Sequence, residues 1–72
     1  MITEWERDRI LLHGTFEEQR AMFIEAAGFV PSHPEVVLRA VNKAITALPH
    51  LPEYRRMESR KWLRDHNSEA WG

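Results

Sequence analysis

The amino-acid sequence predicts a single all-α domain, a small three- to four-helix bundle in which the third helix is central. The chain has 72 residues, enough for one domain. Glycine or proline at positions 14, 28, 31, 34, 49 and 52 divides it into helix-length segments. The third segment carries apolar residues around more than half its circumference, which is typical of a helix packed between neighbours.

The first helix is predicted over Glu4–His13 by a capping-box pattern. In such a box, a Ser or Thr and a Glu three residues later each satisfy a free backbone N–H group of the other. Thr3 and Glu6 have this spacing. Trp5 and Leu12 lie seven residues apart on one face, and we expect Trp5 in the core.

The second helix is predicted over Phe16–Ala27 by a second capping-box pattern, Thr15 with Glu18. A glycine follows each of the first two helices. We expect Gly14 and Gly28 to adopt the left-handed conformation that commonly ends a helix.

The third helix, predicted over Pro34–Leu48, is the most apolar. Ser32 and Glu35 have capping-box spacing, but Pro34 disfavours helical angles in the residue before it, so His33 is an alternative cap. The expected central core residues are Phe23 of the second helix and Val41 and Ile45 of the third, while Met22 is expected to point away.

The fourth helix is predicted over Glu53–His66 and is the most basic segment. Its apolar residues do not form one stripe; they are Tyr54, Met57, Trp62 and Leu63. The domain is expected to span residues 1–67, with a frayed tail over 68–72. This helix either lies against the first three or extends outward.

Composition narrows the class of protein. There is no cysteine, which excludes disulfides and the usual structural zinc frameworks. No apolar run approaches the roughly 20 residues that span a bilayer, and Met1–Arg9 lacks the apolar core of a signal peptide. We therefore expect a cytoplasmic protein without a membrane partner.

No motif predicts catalysis, a metal or another cofactor. The four histidines, His13, His33, His50 and His66, include no pair at the i, i+4 spacing of a helical metal site. No serine lies in the glycine-flanked turn that presents a catalytic nucleophile, and none has a sequence spacing from a histidine that indicates a nucleophile with its base. The expectation is a non-enzymatic protein.

The polar strip of the third helix supports one binding hypothesis. It consists of Arg39, Asn42, Lys43 and Thr46, residue types that contact bases and phosphates. A short link joins the second and third helices, loosely like a helix-turn-helix. The net charge of −1 argues against indiscriminate nucleic-acid binding. A DNA-binding regulator is therefore the alternative rather than the leading hypothesis.

The basic, aromatic fourth helix supports the leading hypothesis, which is binding to another protein with an acidic surface. Tyrosine, tryptophan and arginine are enriched at binding hot spots. The candidate contact residues are Tyr54, Arg55, Arg56, Arg60, Lys61, Trp62 and Arg64. Two further roles for this helix stay open. Trp62 could instead close the core while the arginines lie in water, or two copies could pair as a homodimer through this helix.

Overall fold

The computed structural model describes residues 2–71, with side chains described as far as His66. Within that range the chain forms four helices and no strand. They are α1 (Glu4–His13), α2 (Phe16–Ala27), α3 (Pro34–Ala47) and α4 (Glu53–Trp71). The all-α prediction is confirmed, and each helix begins at its predicted residue.

The C-terminal end of α4 lies beyond the predicted one. Helical backbone continues past His66 to Trp71. The predicted fraying of residues 68–72 stays a prediction, because the side chains of residues 67–71 and all of Gly72 lie outside the described part of the chain.

The first two helices begin with capping threonines, as their sequence patterns predict. The full capping box of α2 is present: Thr15 Oγ1 accepts from the Glu18 backbone N–H at 3.1 Å, and Glu18 Oε1 accepts from the Thr15 N–H at 2.9 Å. In α1, Thr3 accepts from the Glu6 N–H, while the Glu6 carboxylate bonds to Arg9. Both helix starts therefore have one free N–H satisfied by threonine.

The start of α3 follows the alternative prediction. Its N-cap is His33, extended at φ −137° and ψ 146° with no side-chain capping bond. The Ser32 capping box is therefore wrong. The reason is Pro34, whose ring excludes helical angles from the residue before it and so fixes the junction at His33.

The core is built on α3, whose central place is confirmed. Val37, Val41 and Ile45 lie four residues apart and are buried. They form one cluster with Leu11 of α1 and Leu51 of the α3–α4 turn. Helix α3 contacts all three other helices, and its contact with α4 is the most extensive.

Helix α4 packs along α3 through a stripe that is mainly polar. Its buried or half-buried positions repeat every three or four residues; they are Arg55, Arg56, Ser59, Trp62, Leu63 and His66. Ser59 is the most buried of them, with 3% exposure. The apolar residues of α4 fail to align because arginine, serine and histidine occupy part of the packed side.

Three core assignments are wrong. Trp5 is 73% exposed, because the buried side of α1 centres on Ile10 and Leu11, away from the face that Trp5 shares with Leu12. Met22 packs against the core instead of pointing away. The expectation of a fully central Phe23 is also wrong, because Phe23 is only half-buried at the core edge.

The expected left-handed glycine is present after α2 and absent after α1. Gly28 has φ 82°, as predicted, whereas Gly14 has φ −74° and ψ 159° and is extended. Gly14 is instead required by space. A Cβ there would lie 2.6 Å from the Ile10 carbonyl oxygen.

Candidate functional site

The exposed side of α4 carries a continuous row of side chains, which we call the α4 stripe. It consists of Tyr54, Met57, Arg60, Lys61 and Arg64, all exposed. At about 100° per residue these positions fall within about a third of the helix circumference, a sector that also contains the exposed Glu53 at the start of the helix. They lie opposite the stripe that packs on α3. The fold therefore leaves the α4 stripe without an intramolecular role in packing.

The two apolar members of the stripe are largely exposed. Tyr54 is 63% exposed and Met57 is 56% exposed. Met57 also lines a shallow depression of about 400 Å³ with Glu58, Arg60, Lys61 and Arg64. An apolar centre beside a depression with basic walls is a surface that a partner side chain can enter.

Charge on the stripe is partly compensated within α4. Lys61 Nζ lies 3.1 Å from Asp65 Oδ2, and its hydrogen bond lowers the pKa of the Asp65 carboxyl below its ordinary value. Among the described residues, Arg60 and Arg64 form no ion pair. These two guanidinium groups therefore supply the net positive charge of the stripe.

Two arginines of the predicted contact set hold the fold together instead. Arg55 Nη1 donates to the Leu12 carbonyl oxygen at 2.8 Å, which caps the last turn of α1. Arg56 Nε donates to the Leu51 carbonyl oxygen at 3.1 Å in the turn before α4. Both side chains are half-buried. Arg55 thus satisfies a carbonyl that the end of α1 leaves without an intrahelical partner, and Arg56 satisfies a carbonyl of the turn.

Trp62 also belongs to the packed side of α4. It is half-buried, and its ring stacks on the His66 imidazole with a centroid distance of 4.0 Å and an interplanar angle of 10°. His66 Nδ1 donates to the Trp62 carbonyl oxygen at 2.8 Å. The structure thus places Tyr54, Arg60, Lys61 and Arg64 of the predicted contact on one surface, and it adds Met57. The spacing of Met57, three residues after Tyr54, is the signal that could have found it.

The polar strip of α3 is mostly engaged within the chain. Arg39 Nη2 donates to the His66 carbonyl oxygen at 2.9 Å and so ties α3 to α4. Asn42 and Thr46 bond to carbonyl oxygens of their own helix. Lys43 alone of the four predicted nucleic-acid contacts is exposed.

A second open surface lies between the start of α1 and the end of α2; we call it the α1–α2 groove. It is a depression of about 490 Å³ lined by Ile2, Thr3, Glu4, Arg7, Met22, Glu25 and Ala26. An adjoining depression of about 290 Å³ shares Ile2, Met22 and Glu25 with it. The groove therefore combines apolar side chains with two glutamates and with Arg7, whose Nη2 lies 3.0 Å from Asp8 Oδ1.

The charge around the groove is negative. Arg9 Nη2 lies 3.3 Å from Glu6 Oε2 and 3.6 Å from Glu18 Oε2, so one cation serves two carboxylates. Glu4 and Glu25 form no ion pair within the described side chains. The first 28 residues of the chain contain six acidic and three basic residues. Around the groove, carboxylates therefore outnumber cations among the described side chains.

The described residues contain no group of three or more histidine and acidic side chains that could hold a metal ion. None of the helices in this part of the chain has the length and apolar character needed to cross a bilayer. Comparisons with protein-family models, with curated proteins and with solved structures found no match to this chain.

Proposed function

We propose that this protein is non-enzymatic and acts by binding another protein through the α4 stripe, as an adaptor, an inhibitor or a regulatory subunit. The observation that carries the proposal is the exposure of Tyr54 and Met57 beside Arg60 and Arg64. The partner surface is acidic, with an apolar centre. Absence of cysteine suits the reducing cytoplasm, where we place this activity.

The physical support is the composition of the stripe. Tyrosine, methionine and arginine are enriched at the centres of protein interfaces. In a monomer, exposed apolar side chains grouped on one surface rather than scattered singly mark interaction sites. Tyr54 and Met57 are neighbours one helical turn apart, and water covers both in the isolated chain. A partner that buries them gains hydrophobic free energy, while the arginines orient it.

The DNA-binding alternative has less support. Of its predicted contacts, Arg39, Asn42 and Thr46 already donate to backbone carbonyls. A protein gains DNA affinity by neutralising several phosphates, and within the polar strip of α3 Lys43 is the one exposed cation. The net charge of −1 adds no general attraction for a polyanion.

The test is affinity capture of the tagged full-length chain from its native host, with and without nuclease. The wild-type chain is expected to retain a protein partner after nuclease treatment. A triple variant, Tyr54→Ala with Arg60→Ala and Arg64→Ala, should lose it while helical content by circular dichroism stays unchanged. The matched control is Arg20→Ala with Lys43→Ala, which removes two exposed cations elsewhere and should retain the partner.

Two outcomes would contradict the proposal. Full retention of the partner by the triple variant would remove the α4 stripe from the contact. Capture that depends on nucleic acid and is lost in Lys43→Ala would favour the DNA-binding alternative. Lys43 is the suitable test position because replacing Arg39 would also break the bond between α3 and α4.

A further inference from the structure

We infer that the α1–α2 groove is a second binding surface and that its occupant is the α4 stripe of another copy of this chain. The inference rests on the proposed function, because it names a partner for the stripe. The two surfaces belong to different helices of one molecule. Contact between them therefore joins one copy through its groove to another copy through its stripe.

The apolar parts of the two surfaces match. The floor of the groove offers Ile2, Met22 and Ala26, and the centre of the stripe offers Tyr54 and Met57. Below this floor, an apolar cleft of about 200 Å³ continues between α1, α2 and α3. Burial of a tyrosine or methionine side chain in such a groove removes apolar surface of both copies from water.

The charges match as well. Glu4 and Glu25 at the groove and Arg60 and Arg64 on the stripe form no ion pair among the described side chains. Two unpaired carboxylates thus face two unpaired guanidinium groups across the proposed contact. Carboxylate and guanidinium form short, paired hydrogen bonds. Complementary potentials also steer association and fix its register.

Contact between two different surfaces can close as a two-fold dimer, in which the groove of each copy meets the stripe of the other, or it can repeat from copy to copy. A contact that repeats from copy to copy forms a closed ring if the rotation between neighbours returns to the first copy. Otherwise it forms an open chain of copies. The average molecular mass of the protein in solution should therefore increase with its concentration. Since exposed charges contribute, association should weaken as salt shortens the range of electrostatic attraction.

The experiment measures mass by sedimentation equilibrium of the full chain from about 10 µM to about 1 mM, the range in which weak contacts populate. Two charge-reversed variants are compared with wild type: Glu4→Lys with Glu25→Lys, and Arg60→Glu with Arg64→Glu. Each alone should associate at least about tenfold more weakly, because like charges then face each other. An equal mixture of the two should regain association, since each reversed surface meets its complement.

The controls reverse charges away from both surfaces. They are Glu17→Lys with Glu35→Lys, and Arg20→Glu with Lys43→Glu. These should leave self-association within about twofold of wild type, as expected for changes outside the contact. Circular dichroism of every variant verifies folding.

Failure of this self-association can be distinguished from failure of the proposed function. A monomer at every concentration, or mixed variants that stay apart, would overturn the self-association. If self-association is absent but the triple variant at Tyr54, Arg60 and Arg64 still loses its captured partner, the proposed function is retained. The partner of the stripe is then an acidic protein other than a second copy of this chain. Restored association in the mixture, in contrast, requires contact between the groove and the stripe.

Discussion

At the scale of single residues, the glycines that end α1 and α2 are needed for different reasons. Gly28 adopts φ 82°, which L side chains rarely tolerate, and a Cβ there would meet open space. Gly14 has an ordinary φ, but a Cβ would press on the Ile10 backbone at 2.6 Å and 2.9 Å. Gly28 satisfies a conformational requirement and Gly14 a steric one.

Substitution of these glycines should separate the two requirements. Gly28→Ala should cost about 1–2 kcal/mol, and Gly28→Asn less, because asparagine visits left-handed angles more readily. At position 14 both alanine and asparagine should cost about 1–3 kcal/mol, because any Cβ overpacks the turn. Urea unfolding of the four variants checks this. Equal costs for alanine and asparagine at position 28 would contradict the conformational requirement.

Asp8 is a residue at which stability should depend on pH. His50 Nε2 donates to Asp8 Oδ2 at 2.6 Å, which joins the α3–α4 turn to α1. That hydrogen bond lowers the pKa of Asp8 below its ordinary value of 3.8; partial burial opposes the shift, and Arg7 adds to it. A carboxyl whose pKa is lower in the folded state stabilises the fold above its unfolded pKa.

The contribution of the ionised Asp8 carboxylate to the free energy of unfolding should therefore be present above about pH 4. It should be lost as the pH falls through the lowered pKa of Asp8 in the folded protein. Asp8→Asn should be less stable than wild type at pH 6, and the difference should shrink below pH 3.8. Melting temperatures measured from pH 2 to pH 6 check this. A constant difference between the two proteins over that range would exclude the titration of Asp8 as its source.

At the scale of helices, local signals are sufficient for the first residue of each helix, but they miss the end of α4 and the packed faces. Capping threonines, glycine and proline act within a few residues, so the sequence predicts where helices begin. The packed side of α4 depends on bonds between distant residues, such as Arg55 with Leu12 and Arg39 with His66. The periodicity of apolar residues along the sequence does not predict these hydrogen bonds. For this reason the sequence pattern could not show that Arg55, Arg56 and Trp62 lie on the half-buried, packed side of α4.

Ser59 places a small side chain at the most buried described position of α4. It is buried on the packed side of α4, where larger side chains flank it. Ser59→Ala should be neutral or slightly stabilising, because alanine is small and favours helix. Ser59→Leu should cost about 1–3 kcal/mol through overpacking. Chemical unfolding checks both, and a leucine variant as stable as wild type would show that the helices do not meet closely at this position.

The arginines of α4 should divide into two groups in measurements of stability. Arg55→Ala removes a hydrogen bond from a charged group to the Leu12 carbonyl and should cost about 1–3 kcal/mol. Arg60→Ala removes an exposed side chain and should change stability by no more than about 0.5 kcal/mol. Parallel unfolding curves of the two variants check the division. If Arg60→Ala were the more destabilising, the assignment of Arg60 to a free surface would fail.

At the scale of the whole molecule, a small core is concentrated on one helix. The radius of gyration is 12.0 Å, close to the roughly 11 Å expected for a compact chain of this length. The central position of α3 is predictable because its apolar surface is too wide for a helix with one neighbour. Leu51 escapes prediction as a core residue because it lies in a turn between two prolines, outside any helical pattern.

So small a core should make the fold sensitive to loss of one central side chain. A single core in a chain of this size supplies about 3–5 kcal/mol of net stability. Ile45 is 1% exposed and contributes to the buried cluster on α3. Truncation to alanine should cost about 2–5 kcal/mol, so that most Ile45→Ala molecules unfold at 37 °C.

The matched control is Trp5→Ala, which removes a larger side chain from a position that is 73% exposed. It should change stability by no more than about 0.5 kcal/mol. Thermal unfolding followed by circular dichroism compares the two variants with wild type. If Trp5→Ala were as damaging as Ile45→Ala, the core could not be confined to the cluster around α3. Because the expected costs differ severalfold, the comparison decides whether the stability of the molecule comes from α3 or is spread over its surface.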